Sequence, residues 1–173
     1  TKLVGECNIS NLIGAVIVAI KLGVSDEKIK YAVSKIEQVE HRLNMKRTPG
    51  GVTIIDDAFN SNPDGSKMAL DVLSRMKKGK RIVITPGMIE LGDKQHYHNA
   101  NFGEHIAKCC DIAIIVGQYN RNAILEGINR NESFSNENII VVDTFNEAQT
   151  KLSTIISAGD TVLYENDLPD TFK

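Results

Sequence analysis

From Arg42 onward one unit recurs: a short run of consecutive apolar residues, then a helix-length amphipathic stretch. The runs are "VTIIDD", "KRIVITPG", "DIAIIVG", "NIIVVD" and "DTVLYEN". Between them lie "NPDGSKMALDVLSRM", residues from about Lys94 to Cys109, "YNRNAILEGINR" and "FNEAQTKLSTII". Strands apolar at successive positions are buried on both faces. Repeated strand–helix units therefore predict an α/β fold, a mostly parallel sheet with helices on both faces. "HRLNMKRT" and "PGG" before the first run predict a hairpin onto it.

The first forty or so residues follow a different rule. Asn8 or Ser10 is the expected cap of a helix through "LIGAVIVAIKLG", with Gly23 as its stop, and Ser25 opens a second helix, "SDEKIKYAVSKI". No strand separates the two. The opening "TKLVGECNIS" reads like the middle of a longer protein, so the expectation is a piece of one. A net charge of −2 gives no sign of nucleic-acid binding. No apolar run is long enough to span a bilayer. The three cysteines, Cys7, Cys109 and Cys110, have neither zinc-type spacing nor a disulfide framework, and reduced thiols in a cytoplasm are the simpler reading.

Ligands of parallel α/β sheets collect at the carboxyl ends of the strands. There the chain offers Asp56, Asp57, Asn60 and Asn62 after the first run, and Pro86, Gly87, Met88, Glu90 and Gly92 after the second. Gly117, Asp143, and Glu165, Asn166 and Asp167 follow the later runs. An acidic pair after a strand resembles a phosphoacceptor receiver. That reading fails, because the third parallel-type strand ends in "IIVGQ" without an acid and the last in "YENDLP" without a lysine. Neither G-x-x-x-x-G-K-[ST] nor G-x-G-x-x-G is present. His98 and His105 share a helix face, but no carboxylate is seen to complete a ligand set, and no metal site is expected. The cysteines read as core residues with no partner fixed nearby by sequence. Arg42, at the junction, is either a surface ion-pair partner or a fork for a phosphate held between domains.

Four stretches in order, "GECNISNLIGAV", "EHRL", "TIIDDAFNSNPDG" and "TPGMIELGDKQH", resemble the Mur ligase family of ATP-dependent amide-forming enzymes. "DDAFNSNP" followed by "GMIELG" is most similar to the branch that adds D-alanyl-D-alanine to UDP-N-acetylmuramoyl-tripeptide in bacterial peptidoglycan synthesis. The resemblance implies that residues 1–41 are the last two helices of a central ATPase domain. Residues 42–173 would be a Rossmann-like C-terminal domain. It matches Asn8 and Asn11 to the family's asparagine pair, with Asn11 reading adenine, Arg42 to a contact with ATP phosphates, and Asp57 to the ribose hydroxyls. Asp56 is left as structural. Asn60 and Asn62 resemble the loop near the incoming amino substrate; Glu90, Glu165 and Asn166 are further expected substrate contacts. Cys7 stands where many members carry His, and "ENDLPD" replaces a loop often bearing Gly, Ser, Lys or Arg.

The implied reaction uses ATP and Mg2+ to phosphorylate the tripeptide carboxylate, and the dipeptide amine attacks the acyl phosphate, in the bacterial cytoplasm. The family's P-loop and magnesium ligands are not among these residues, so the chain alone is expected to be inactive and to bind ATP weakly. The alternatives are another Mur-type ligase, for lysine, diaminopimelate or glutamate, and a non-catalytic α/β module that binds a nucleotide or a partner.

Overall fold

A computed structural model describes residues 1–167. Two helices come first, α1 (Glu6–Lys21) and α2 (Asp26–Lys35). The hairpin β1 (Asn44–Arg47) and β2 (Thr53–Asp57) follows, then α3 (Pro63–Ser74), β3 (Arg81–Thr85), α4 (Gln95–Cys109) and β4 (Ile112–Val116). The chain continues through α5 (Arg121–Asn129), β5 (Ile139–Val142), α6 (Phe145–Ile155) and β6 (Thr161–Glu165). One six-stranded sheet results, in the order β1-β2-β6-β3-β4-β5. Only β1 runs antiparallel, with Asn44 opposite Asp56 and Arg47 opposite Thr53.

The alternation of apolar runs and helices is thus realised, and the sheet's register follows from it. β6 lies between β2 and β3: Ile55 pairs with Leu163, and Leu163 with Val83. These three residues and Ile115 point to one face, where they pack with Leu70, Leu73, Phe102, Ile106, Ile124 and Ile128 from α3, α4 and α5. On the other face Ile82, Ile84, Ile114 and Val162 meet Ala148 and Leu152 of α6. Both faces of the central strands are therefore dry. Edge strand β5 is less so, and its Val141 is exposed.

Helix starts follow local chemistry. The Asn62 carboxamide oxygen accepts N–H bonds from Asp64 at 3.2 Å and Gly65 at 3.0 Å, and Pro63 needs no partner at the first helical position. Thr144 caps Glu147, whose carboxylate accepts from the Asp143 N–H at 3.0 Å. The expected cap of α1 is corrected. The helix begins at Glu6, after Gly5 in a left-handed conformation (φ 89°), and Asn8 lies inside it with its amide donating to the Val4 carbonyl at 2.7 Å. Gly5 wins because the chain passes so close to Leu43 that a Cβ would sit 2.5 Å from its methyl group.

Helices α1 and α2 contribute no buried residue. Ile9, Ile13, Ile17 and Ile20 stay exposed along α1. The backbone then turns through left-handed conformations at His41 (φ 56°) and Leu43 (φ 53°) before β1. Among the described residues no helix is long and apolar enough to cross a membrane.

Helices α4 and α5 touch backbone to backbone. A Cβ on Gly127 would lie 1.8 Å from the Ala100 carbonyl oxygen, and one on Gly103 2.1 Å from that of Ile124. Alanine is the better helix former by about 1 kcal/mol, yet here a methyl must push two packed helices apart, an overpacking penalty of about 1–3 kcal/mol or more. Gly127→Ala is therefore expected to lower the urea midpoint of unfolding. An unchanged or raised midpoint would contradict this contact.

Candidate active-site edge

The carboxyl ends of β2, β6 and β3 come together because β6 is inserted between the other two. Asp57 closes β2 directly opposite Glu165 at the end of β6. The Asp57 carboxylate accepts the Leu43 N–H at 2.8 Å, so the turn entering β1 is tied to the end of β2. The Asn166 N–H donates to the Asp57 carbonyl at 3.1 Å, and its side-chain amide donates to the Gly87 carbonyl at 2.5 Å. One residue thereby joins the loops after β2 and β3. It holds φ 65° to do so, a conformation asparagine tolerates better than most side chains.

Glu165 is fully buried. Its Oε1 accepts the Ser61 hydroxyl at 2.5 Å, and Ser61 is 2.6 Å from the Ser66 hydroxyl. No donor faces its Oε2 among the described residues. A buried carboxylate oxygen without a donor is expensive, but a carboxylic acid makes that oxygen a donor. Burial, reinforced by the adjacent Asp57 charge, pushes the Glu165 pKa up to about 8. Burial also raises that of Asp57, against the opposing pull of the Leu43 N–H and the Arg42 guanidinium. With its pKa at about 8, Glu165 is the member of the pair that holds a proton near neutral pH.

Arg42 flanks this pair. Its guanidinium lies over the Phe59 ring, 4.3 Å from the centroid, with both residues exposed. Asp56 points elsewhere, accepting the Ala58 N–H at 3.3 Å and meeting His41 Nδ1 at 3.0 Å. The edge thus presents an exposed cation, a half-buried carboxyl backed by a buried one, and an exposed aromatic ring. That set can grip a polar ligand bearing both hydroxyls and negative charge.

The other candidates are distributed as follows. Asn8 and Asn11 stand on α1, Asn11 exposed and Asn8 bonded to its own helix start. Asn60 and Asn62 are exposed beside Asp57 in sequence, Asn62 serving as the α3 cap. Glu90 is exposed at φ 62° in the loop after β3. Glu165 and Asn166 lie beneath the edge and present no open surface. Leu168, Pro169 and Asp170 of "ENDLPD" fall outside the described residues. Ser61 and Ser66, which hold Glu165, were not singled out by the sequence. The signal would have been the serines flanking the asparagine cap, legible only once β6 is known to lie beside β2.

A second grouping, away from this edge, gathers residues distant in sequence. Asp71 of α3 lies 2.8 Å from His105, and Cys109 is close to both. His105 and Cys109 are four residues apart on α4, and the carboxylate arrives from α3.

The family model described as the Mur ligase, glutamate ligase domain matches residues 41–164. The chain belongs to the Mur ligase family. A UDP-N-acetylmuramoylalanine–D-glutamate ligase of Lachnoclostridium phytofermentans is 29% identical over 94% of this chain and 33% of its own length. A UDP-N-acetylmuramoyl-tripeptide–D-alanyl-D-alanine ligase of Mycobacterium leprae is 27% identical over 92% of this chain and 34% of its own. The solved D-alanyl-D-alanyl ligase of Acinetobacter baumannii superposes with a TM-score of 0.78 at 26% identity, covering 95% of this chain and 34% of that one. The chain spans about a third of the length of these relatives, and the sheet matches the Rossmann-like C-terminal domain of the Mur ligases.

The raised Glu165 pKa has a thermodynamic consequence. A carboxyl whose folded pKa exceeds its unfolded one contributes fully below the unfolded value of 4.5, and that contribution is lost as pH rises toward about 8. A glutamine never ionises and loses nothing. Relative to wild type, Glu165→Gln is therefore expected to gain on the order of 1–3 kcal/mol of unfolding free energy between about pH 5 and pH 8.5. Denaturant unfolding at both values checks this; a constant difference would show that Glu165 is ionised throughout.

Proposed function

We propose that this chain is the carboxyl-terminal part of an ATP-dependent amide ligase of bacterial peptidoglycan precursor synthesis, acting in the cytoplasm. Its reaction adds D-alanyl-D-alanine to UDP-N-acetylmuramoyl-tripeptide. The observation that carries the reading is the conjunction of Arg42 and Asp57 at the carboxyl edge of a Mur ligase sheet. Residues 1–41 would be the final helices of a central ATPase domain, and 42–173 the C-terminal domain. The exposed isoleucines of α1 support that division, since a face so apolar is suited to burial against the rest of such a domain.

The residues fit a nucleotide. Asp57 is an acceptor for ribose hydroxyls, and a protonated Glu165 beneath it leaves less negative charge near the phosphates than two ionised carboxylates would. The Arg42 fork, stiffened by its stacking on Phe59, is suited to a phosphate. The free amide of Asn11 offers adenine a donor and an acceptor together, while Asn8 spends one of its two amide hydrogens on the Val4 carbonyl. ATP, when bound, supplies the phosphoryl group that activates the tripeptide carboxylate. In this reading magnesium ligation falls to the central domain.

Asn60, the amide of Asn62 and Glu90 are placed to meet the incoming amino substrate. Glu165 and Asn166 act one layer below, the first through Asp57 and the second through the Gly87 loop. Closure of this domain over the nucleotide would exclude water from the activated carboxylate.

D-Glutamate addition is the second reading, favoured by the Lachnoclostridium relative. Acceptor profiling of the intact ligase separates the two: amide formation from UDP-N-acetylmuramoyl-tripeptide and D-alanyl-D-alanine is expected, and exclusive use of D-glutamate would overturn it. In the same enzyme Arg42→Ala is expected to raise KM for ATP about tenfold or more, equivalent to ~1.4 kcal/mol, with a smaller change for the dipeptide. Unchanged ATP kinetics would remove Arg42 from the nucleotide site. The chain by itself is expected to show no ligation.

A further inference from the structure

Helices α3 and α4 end side by side at the edge of the sheet opposite Asp57. Each leaves the carboxyl end of one strand and finishes just before the amino end of the next, so their last turns lie far from the nucleotide edge. Three chemically different side chains converge there. His105 and Cys109 are one helical turn apart on α4 and share a face, and Asp71 reaches across from α3. His105 Nε2 is 2.8 Å from Asp71 Oδ1. One donor atom from each of the three lies within 4.8 Å of the others, and among the described residues this is the one such cluster of histidine, cysteine or acid.

We propose that Asp71, His105 and Cys109 form a site for a zinc-class divalent cation that joins α3 to α4. A thiolate, an imidazole and a carboxylate are the ligand types zinc takes, and three protein ligands leave a fourth position for water. Magnesium and calcium, which take oxygen ligands, do not suit a thiol. The burial pattern agrees: Cys109 is buried, whereas the His105 and Asp71 side chains are 23% and 43% exposed, which leaves solvent on one side for the fourth ligand.

Tetrahedral zinc holds its ligand atoms roughly 3–4 Å apart, so the His105–Asp71 contact needs to open by less than about 1 Å. The thiol proton leaves to solvent as the ion binds, and the charges of thiolate and Asp71 are balanced by the dication. Nearby cations do not compete. Arg81 is held by Asp111 through bonds of 3.0 and 2.7 Å, and Lys108 by Glu104 at 2.6 Å. A site in this position ties together two helices distant in sequence and stabilises the folded state by mass action.

The test is titration of the chelator-treated purified protein with Co2+ and then Zn2+. The expected result is one equivalent of Co2+ bound, with a thiolate-to-cobalt charge-transfer band that Zn2+ abolishes, and a higher Tm with Zn2+. Cys109→Ser should lose the band. Asp71→Asn, at a half-exposed position that tolerates the change, should weaken Zn2+ binding tenfold or more. Cys7→Ser and His96→Ala should leave both unchanged. Absence of the band in wild type, a band that follows Cys7, or wild-type affinity in Asp71→Asn would each overturn the proposal. If Cys109→Ser does not fold, the Asp71→Asn comparison decides.

Discussion

The last strand of the described chain sits in the middle of its sheet. β6 pairs with β2 on one side and β3 on the other, through Leu163 between Ile55 and Val83. Without it the hairpin β1–β2 has no partner and β3 becomes an edge. Everything at the functional edge depends on this insertion. The residues after Leu163 must emerge between the ends of β2 and β3, so Glu165 faces Asp57, and Asn166 bridges the Asp57 and Gly87 carbonyls. The apolar interior of the sheet and the polar contacts at its end are two consequences of one register.

That register explains why the carboxylates of the edge behave differently from one another. Asp56 points toward His41 and the turn, where solvent reaches it. Asp57 points toward Leu43 and Glu165, where it is half-buried. Alternation along β2 separates a structural acid from a ligand-facing one in adjacent positions. Burial of Glu165 beneath Asp57 raises its pKa and favours its protonated form. The opposite edge of the same domain carries a different chemistry, with nitrogen and sulfur ligands in place of a carboxyl pair.

Much of this was legible in the sequence, and the reasons differ by element. The strands could be read because burial on both faces demands consecutive apolar residues, as in "RIVIT" and "IAIIV". The start of α3 could be read because Asn62 and Pro63 are a local signal. The start of α1 could not, because Gly5 is selected by its contact with Leu43, far along the chain. The same limit hid the close crossing at Gly103 and Gly127, where each glycine is explained only by the facing helix. It hid the burial of Glu165, since nothing near residue 165 announces that Asp57 lies beside it. Local chemistry is visible in one dimension, whereas proximity between elements waits for the strand order.

The central claim is that Asp57 receives ribose hydroxyls when the domain closes on a nucleotide. The most direct measurement compares ATP with its 2′-deoxy and 3′-deoxy analogues in the intact ligase, for wild type and Asp57→Ala. If Asp57 holds the ribose, wild type should lose tenfold or more in kcat/KM with at least one analogue, a coupling of ~1.4 kcal/mol, and the variant should scarcely discriminate. Equal discrimination by the two enzymes would contradict the account.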